Sequence, residues 1–249
     1  MIKNILFLLI AVSFFQQSDA QNMRKLLKKR TAEAAVYGNL GYYGNPHWGL
    51  GANIHYLHGI GRGKQRLSIG CGLRANVFFS KNRDYTTSSP VLTARNRGGA
   101  DTMFMGEVQT NSLNAYIAIK IHIKRGVDVH INTDLGGVNF GDSKIGYFRS
   151  YETNPLPPGT KYKSEPYAFN ANMLNASYGS IMTEAYGSFR LNEVLWWRLG
   201  FNYFRNEYKI DSNIPMNGKR FYQNHIMVMT ALAFDLRWKK NLEQARILY

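Results

Sequence analysis

The sequence predicts an all-β fold, a closed antiparallel up-and-down β-barrel, from three observations. The 249 residues include 16 Tyr, 14 Phe, 4 Trp and 23 Gly but only 7 Pro, a composition that favours strands and turns. Apolar and polar residues alternate over eight segments, as in strands with one apolar face. The connections between these segments alternate between short and long. Together these features predict a single domain of about eight strands, with ten as the alternative count.

The first 20 residues predict a secretory signal peptide. Lys3 supplies the positive start, residues 5–15 are apolar, and Ser18 and Ala20 form a small-residue cleavage site. The apolar run is too short to span a membrane comfortably. We therefore expect export with cleavage after Ala20, and a basic periplasmic segment over residues 21–33.

The predicted barrel spans residues 34–238, and its connections are the informative part. The predicted strands are 34–43, 47–58, 65–80, 106–123, 127–140, 177–191, 194–205 and 222–238. Short connections at 59–64, 124–126 and 192–193 lie on the side of the N-terminus. Long connections lie on the opposite side, at 81–105, 141–176 and 206–221, where only 44–46 is short. Short periplasmic turns and long outer loops are typical of transmembrane β-barrels.

Two hairpins predict their own register. A three-residue loop at 124–126 pairs Ile121 with Val129 and His122 with Asp128, because a slip of one residue would mix the two faces. A loop at 191–193 pairs Phe189 with Leu195. That register continues with Gly187 opposite Trp197, Ala185 opposite Leu199 and Thr183 opposite Phe201.

The two faces of the predicted strands differ in charge. The polar face gathers charged residues and glycine, whereas the apolar face is nearly free of charge. Aromatic residues collect near strand ends, as expected of girdles at two membrane interfaces; they include Trp48, Phe78, Phe79, Trp196, Trp197, Tyr203, Phe204, Phe221 and Tyr222. These features favour an apolar face turned to lipid. The alternative is a secreted lipocalin-like barrel with apolar residues inside.

The chain resembles the small eight-stranded outer-membrane β-barrels, the group that contains the transmembrane domain of outer-membrane protein A. The resemblance covers about residues 34–238 and is most specific in the last predicted strand, "HIMVMTALAFDLRW". It implies an integral protein of the Gram-negative outer membrane and an assembly signal in Phe234, Leu236 and Trp238, read by the assembly machinery. The chain departs from the family by continuing through a periplasmic tail, 239–249, so either Trp238 or Tyr249 closes the signal.

The charge balance restricts the expected partners. The formal net charge is +15, and removing the signal peptide takes away one Lys and one Asp, which leaves it unchanged. Such a balance often indicates nucleic acid, but export argues against that. We expect outer-membrane lipids and the phosphates of lipopolysaccharide instead.

Six polar residues are predicted to face inward near the middle of the barrel. They are Arg74, Lys120, His130, Asp134, Glu184 and Arg198. Side chains fill the interior of an eight-stranded barrel, so charges there must be paired. The set is interpreted as a structural charge network, with a gate or an acid/base site as alternatives.

A search for catalytic or metal-binding spacing finds no match. His47, His225, Ser177, Ser180 and Asp142 fall near the outer ends of strands, without the spacing of a known catalytic constellation. The single cysteine excludes a cysteine-rich zinc site, and no cofactor is expected. The sequence therefore predicts a non-enzymatic outer-membrane protein with a structural or surface-interaction role, whose long loops are its working surface. An outer-leaflet lipid-modifying enzyme at the rim and a narrow pore are the alternatives.

Overall fold

A computed structural model describes residues 30–41, 45–60, 66–88, 101–149, 159–173, 176–214 and 218–236. Within these ranges all regular elements are β-strands, and every strand pairing is antiparallel, so the all-β prediction is confirmed. No helix in the described ranges is long and apolar enough to cross a membrane. The predicted signal peptide, residues 21–29, Trp238 and the tail 239–249 lie outside the described residues.

The strand bounds are as follows: β1 Arg30–Gly41, β2 His47–Ile60, β3 Leu67–Thr87, β4 Thr102–Lys124, β5 Val127–Phe140, β6 Lys144–Arg149, β7 Lys161–Pro166, β8 Phe169–Met173, β9 Ala176–Tyr178, β10 Ile181–Arg190, β11 Leu195–Ile214 and β12 Gly218–Asp235.

Eight of these strands pair in a ring. In chain order β1, β2, β3, β4, β5, β10, β11 and β12 each pair with the next, and β12 pairs with β1. They correspond to the eight predicted segments. The first strand begins at Arg30 rather than at the predicted residue 34, which brings Glu33 into the ring.

The outer face of the ring is an apolar belt, defined here by exposed residues on all sides. It includes Val36, Leu50, Ile54, Leu73, Ile117, Ile131, Leu199, Phe201, Val228 and Leu232. On β3 the outward positions run from Leu67 to Phe79. At about 3.3 Å per residue and a tilt of about 40°, that stretch is roughly 30 Å tall, close to the apolar band of a transmembrane barrel.

The two predicted hairpin registers have different outcomes. Ile121 pairs with Val129 and His122 with Asp128, as predicted. The second register is wrong by two residues, because Phe189 pairs with Trp197 rather than Leu195. The turn there has four residues, 191–194. The Asn192 side chain accepts the backbone N–H groups of residues 194 and 195 at 2.9 and 2.8 Å, which stabilises the longer turn. A slip of two keeps every side chain on its face, so alternation cannot detect it.

The prediction of three long outer loops is corrected in part, because strands run through much of these segments. Strand β3 continues to Thr87, β4 begins at Thr102, β11 continues to Ile214 and β12 begins at Gly218. With β6 and β7 they form a second ring of pairings, β3–β4–β6–β7–β11–β12, in which β12 returns to β3. We call this part of the chain the extension.

The extension has its own apolar core. The core consists of Tyr85, Met103, Met105, Val108, Phe148, Tyr208, Ile210, Ile214 and Phe221, with Tyr162 packed against it. Its outer face carries charged residues, together with the exposed Ile145 and Tyr147; the charged residues include Asp84, Arg149, Lys161, Lys163, Glu165 and Lys209. The inward positions change from even to odd on β3 at Asn82, which has φ 50°. This parity change breaks the alternation on which strand prediction depends.

The prediction of aromatic girdles on the outer face is also corrected in part. Trp48 and Tyr203 are exposed, and Trp48 stacks on Phe79 with ring centroids 4.3 Å apart. Phe78, Phe204 and Phe221 are instead buried inside. Phe78 and Phe204 occupy inward positions that their place near a strand end did not reveal.

Candidate functional site

The predicted charge network lies inside the ring, where it forms two groups. The first is centred on Arg74 of β3, whose guanidinium lies 3.0 Å from Asp134 of β5 and 2.8 Å from Glu184 of β10. All three side chains are fully buried. Asp134 also accepts the backbone N–H of residue 182 at 2.9 Å and the amide of Asn114 at 2.7 Å. This first group is thus an ion triad with hydrogen bonds to its carboxylates, which is what burial of charge requires.

The second group is centred on Glu33 of β1. Its carboxylate lies 2.9 Å from Lys120 and 2.5 Å from Arg198, and His55 approaches it at 3.4 Å. Lys120 also pairs with Asp128 at 3.0 Å. Four strands of the ring, β1, β2, β4 and β11, therefore meet at one carboxylate.

The structure thus brings five of the six predicted residues into ion pairs. The sixth, His130, is buried and stacks on Tyr186, with ring centroids 4.8 Å apart. Neither ring nitrogen of His130 has a hydrogen-bond partner among the described residues. Arg74 and Arg198 also lie over the rings of Tyr116 and Tyr186, at 4.7 and 5.1 Å.

Sequence reasoning missed Glu33, Asp128 and His55 as members of this network. Glu33 lies one residue before the predicted first strand. The period of two in "EAAVYGN", which places Glu33, Ala35, Tyr37 and Asn39 on one face, could have extended that strand backward. Asp128 was placed on the polar face of its hairpin, but its partner Lys120 lies two pairs along the ladder.

Two apolar layers lie between the charge network and the outer end of the interior. The first contains Phe78, Met182, Phe204 and Met227, and the second is the core of the extension. Two polar groups near these layers are bonded internally: Asn206 donates to the hydroxyl of Tyr85 at 3.0 Å, and Tyr208 donates to a backbone carbonyl at 2.8 Å. Burial raises the pKa of both Tyr85 and Tyr208. The interior is therefore packed with side chains at its outer end.

Those residues considered for rim catalysis whose side chains the structure describes do not form a nucleophile and base. The rings of His47 and His225 lie 4.8 Å apart, but both residues are buried inside the ring. The hydroxyl of Ser180 is buried and donates to Asn206 at 2.9 Å rather than to a histidine. Asp142 is exposed, and the side chain of Ser177 lies outside the described part. Among the described residues no group of three or more His, Cys, Asp or Glu could hold a metal ion.

The described part of the proposed assembly signal lies on the outer face of the ring. Phe234 and Leu236, near the end of β12, are exposed, as an apolar belt requires. Cys71 is free and also exposed on this face.

Comparisons with known proteins give weak likenesses. No protein-family model matches the chain, and no curated protein is significantly similar to it. Among solved structures, it is similar to Neisserial surface protein A, with 10% identity, 83% of this chain and 96% of that chain covered and a TM-score of 0.34. A major outer membrane protein from Thermus thermophilus gives 12% identity, 82% and 99% coverage and a TM-score of 0.33. A Pseudomonas aeruginosa FadL homologue gives 8% identity, with 84% of this chain and 89% of that chain covered and a TM-score of 0.22. Likenesses at this level carry no functional argument.

Proposed function

We propose that this chain is a non-enzymatic integral protein of the outer membrane, in which the eight paired strands close into a transmembrane β-barrel. One observation carries the proposal: charges are inside the ring and an apolar belt is outside. In water this arrangement would expose a continuous apolar surface, far larger than the few hundred Å² usual for a soluble monomer. In a bilayer, the belt faces hydrocarbon and the ladder leaves no unpaired strand edge.

The packing of the interior favours a structural or surface-interaction role over a pore. Ion triads fill the middle of the ring, and two apolar layers follow toward the outer end. A conducting path would need to displace buried side chains in both places. The rim histidines are buried, and the buried hydroxyl of Ser180 donates to Asn206 rather than to a histidine, which gives no support to the lipid-modifying alternative.

The extension is the part that we propose is presented to the outside. It stands above the belt on continuations of β3, β4, β11 and β12, and its outer face carries charged residues. The expected partners of the whole protein are the membrane itself, lipopolysaccharide and, during insertion, the assembly machinery that would read the end of β12.

The first test is electrophoresis of an isolated outer-membrane fraction, comparing unboiled with boiled sample. We expect the protein to stay with the membrane after a carbonate wash and to migrate faster when unboiled, because a compact barrel resists detergent. Protease added to intact cells should cleave only in the extension. Recovery in the soluble periplasm without a mobility shift would contradict the proposal and favour a secreted barrel.

A further inference from the structure

An open apolar groove of about 730 Å³ lies on the outer face of the ring, in the half nearer the extension. It runs across β11, β12, β1 and β2, and its walls include Leu40, Trp48, Leu50, Phe201, Ile226 and Val228. The groove exists because Gly38 occupies an outward position on β1 without a side chain. Its volume is within the about 300–1,000 Å³ typical of sites that hold a ligand.

Two arginines lie farther along the strands that carry this groove, toward the extension. On β11 the outward positions continue from Phe201 through Tyr203 to Arg205, and on β12 they continue from Ile226 through Asn224 and Tyr222 to Arg220. Arg205 lies over the ring of Tyr222 at 4.0 Å, and Arg220 lies over Tyr178 at 4.3 Å. Both side chains keep part of their surface open, 18% for Arg205 and 25% for Arg220.

These two guanidiniums share one carboxylate. Arg205 approaches Glu207 at 3.4 Å, and Arg220 contacts the other oxygen of the same group. Within the described ranges, no second carboxylate makes an ion pair with either arginine, and the Nε of Arg205 has no hydrogen-bond partner. The pair therefore keeps one positive charge, on two partly exposed guanidiniums, at the border between the belt and the polar surface.

We infer that this face binds one lipid A molecule of lipopolysaccharide, with an acyl chain in the groove and a phosphate against Arg205 and Arg220. The inference rests on the outer-membrane location proposed above. Guanidinium donors match phosphate oxygens in geometry and charge, and the rings hold the guanidiniums in place. An acyl chain seated below a phosphate reproduces the order of apolar groove and cationic border along β11.

The test is native mass spectrometry of the purified full chain in mild detergent, mixed with equal amounts of bisphosphorylated lipid A and phosphatidylglycerol. We expect one lipid A per chain to be retained in preference to phosphatidylglycerol. Dephosphorylated lipid A should be retained about tenfold less, the change expected from losing a charge-assisted hydrogen bond. Preference for phosphatidylglycerol would overturn the choice of lipid A.

Matched variants separate the two halves of the site. Arg205→Ala should reduce lipid A retention about tenfold. The control is Arg149→Ala, because Arg149 also lies over a ring, Phe104, at 4.4 Å and pairs with a carboxylate, Asp84, at 3.0 Å, but on the extension. Gly38→Leu should fill the groove and lower retention similarly. A Cβ at Gly38 meets only Leu50, at 3.7 Å, which is an ordinary contact, and the rest of the leucine would extend into the open groove.

Gly106→Leu is the control for groove filling, since a Cβ there meets no atom within 4 Å. Each variant is first checked for the mobility shift on an unboiled gel. A folded, membrane-embedded protein that retains lipid A equally in all variants would overturn this inference alone. A protein that is soluble and shows no shift would overturn the proposed function itself.

Discussion

The ring and the extension share four strands but have opposite polarity. Inside the ring are Arg74, Asp134 and Glu184, while its outer face carries residues such as Leu73. Inside the extension are residues such as Phe148, while its outer face is charged. Strands β3, β4, β11 and β12 pass through both parts. With the ring in a bilayer, as proposed, and the extension in water, the medium across a strand selects which side chains point outward.

The largest expected effect comes from breaking the charged interior of the ring. Arg74→Met removes the cation that two buried carboxylates share, and we expect a loss of at least about 3–5 kcal/mol in the free energy of unfolding. Denaturant unfolding in lipid vesicles measures it. The exposed pair of Lys81 with Glu107 is the control, since Lys81→Met should leave stability unchanged. A tolerated Arg74→Met would mean that the ring interior does not depend on this triad.

The next effect tests whether the extension has a core of its own. Phe148→Ala empties a fully buried position there and should cost about 3–5 kcal/mol of local stability. Limited proteolysis should then cleave the extension, while the unboiled gel still shows a folded ring. Loss of the mobility shift as well would show that the two parts unfold together.

The comparison is sharpened by placing one charge on each outer face. Leu73 in the ring and Ile145 in the extension are each 57% exposed. Leu73→Arg should cost about 2–4 kcal/mol, because it places a cation near the middle of the apolar belt. Ile145→Arg should be close to neutral, because that side chain faces water. Equal unfolding free energies for the two variants in vesicles would contradict a lipid-facing belt.

The smallest effect concerns the junction between the two parts. Asn82 adopts φ 50° at the position where the inward parity changes. Asn82→Val should cost about 1–2 kcal/mol relative to Asn82→Gly, because a β-branched residue is disfavoured at positive φ. The difference between the two denaturation midpoints gives this value. Equal midpoints would show that the junction does not need this conformation.

Much of the ring could be predicted from the sequence because each of its strands has one polar, inward face and one apolar, outward face along its length in the ring. A period of two then identifies both the strand and its inward residues, which is why Arg74, Lys120 and Glu184 were placed inside. The same rule fails where the inward positions change from even to odd and the inward residues become partly apolar. Over residues 81–87 the inward residues become Arg83 and Tyr85, so the segment lacks the pattern of the ring and was predicted as a loop.

Other features could not be read from a periodic pattern. The two-residue shift between Phe189 and Trp197 leaves both faces unchanged, so only the turn chemistry of Asn192 distinguishes the registers. The apolar groove depends on a missing side chain at Gly38 combined with neighbours from β12 and β2. Such neighbours are known only once the strands are paired.

The pairing of Phe221 with Thr87 has a consequence for how fast the molecule assembles. The seam between β1 and β12 joins the two ends of the described chain, and contacts of such long sequence separation form slowly. The pairing of β12 with β3 at the extension can form before β1 and β2 are in place. It would hold β12 and β3 together at one end, so that the hairpin of β1 and β2 pairs with both strands starting from that end. A variant with a weakened β12–β3 pairing should therefore assemble more slowly, but once assembled it should unfold at almost the same rate.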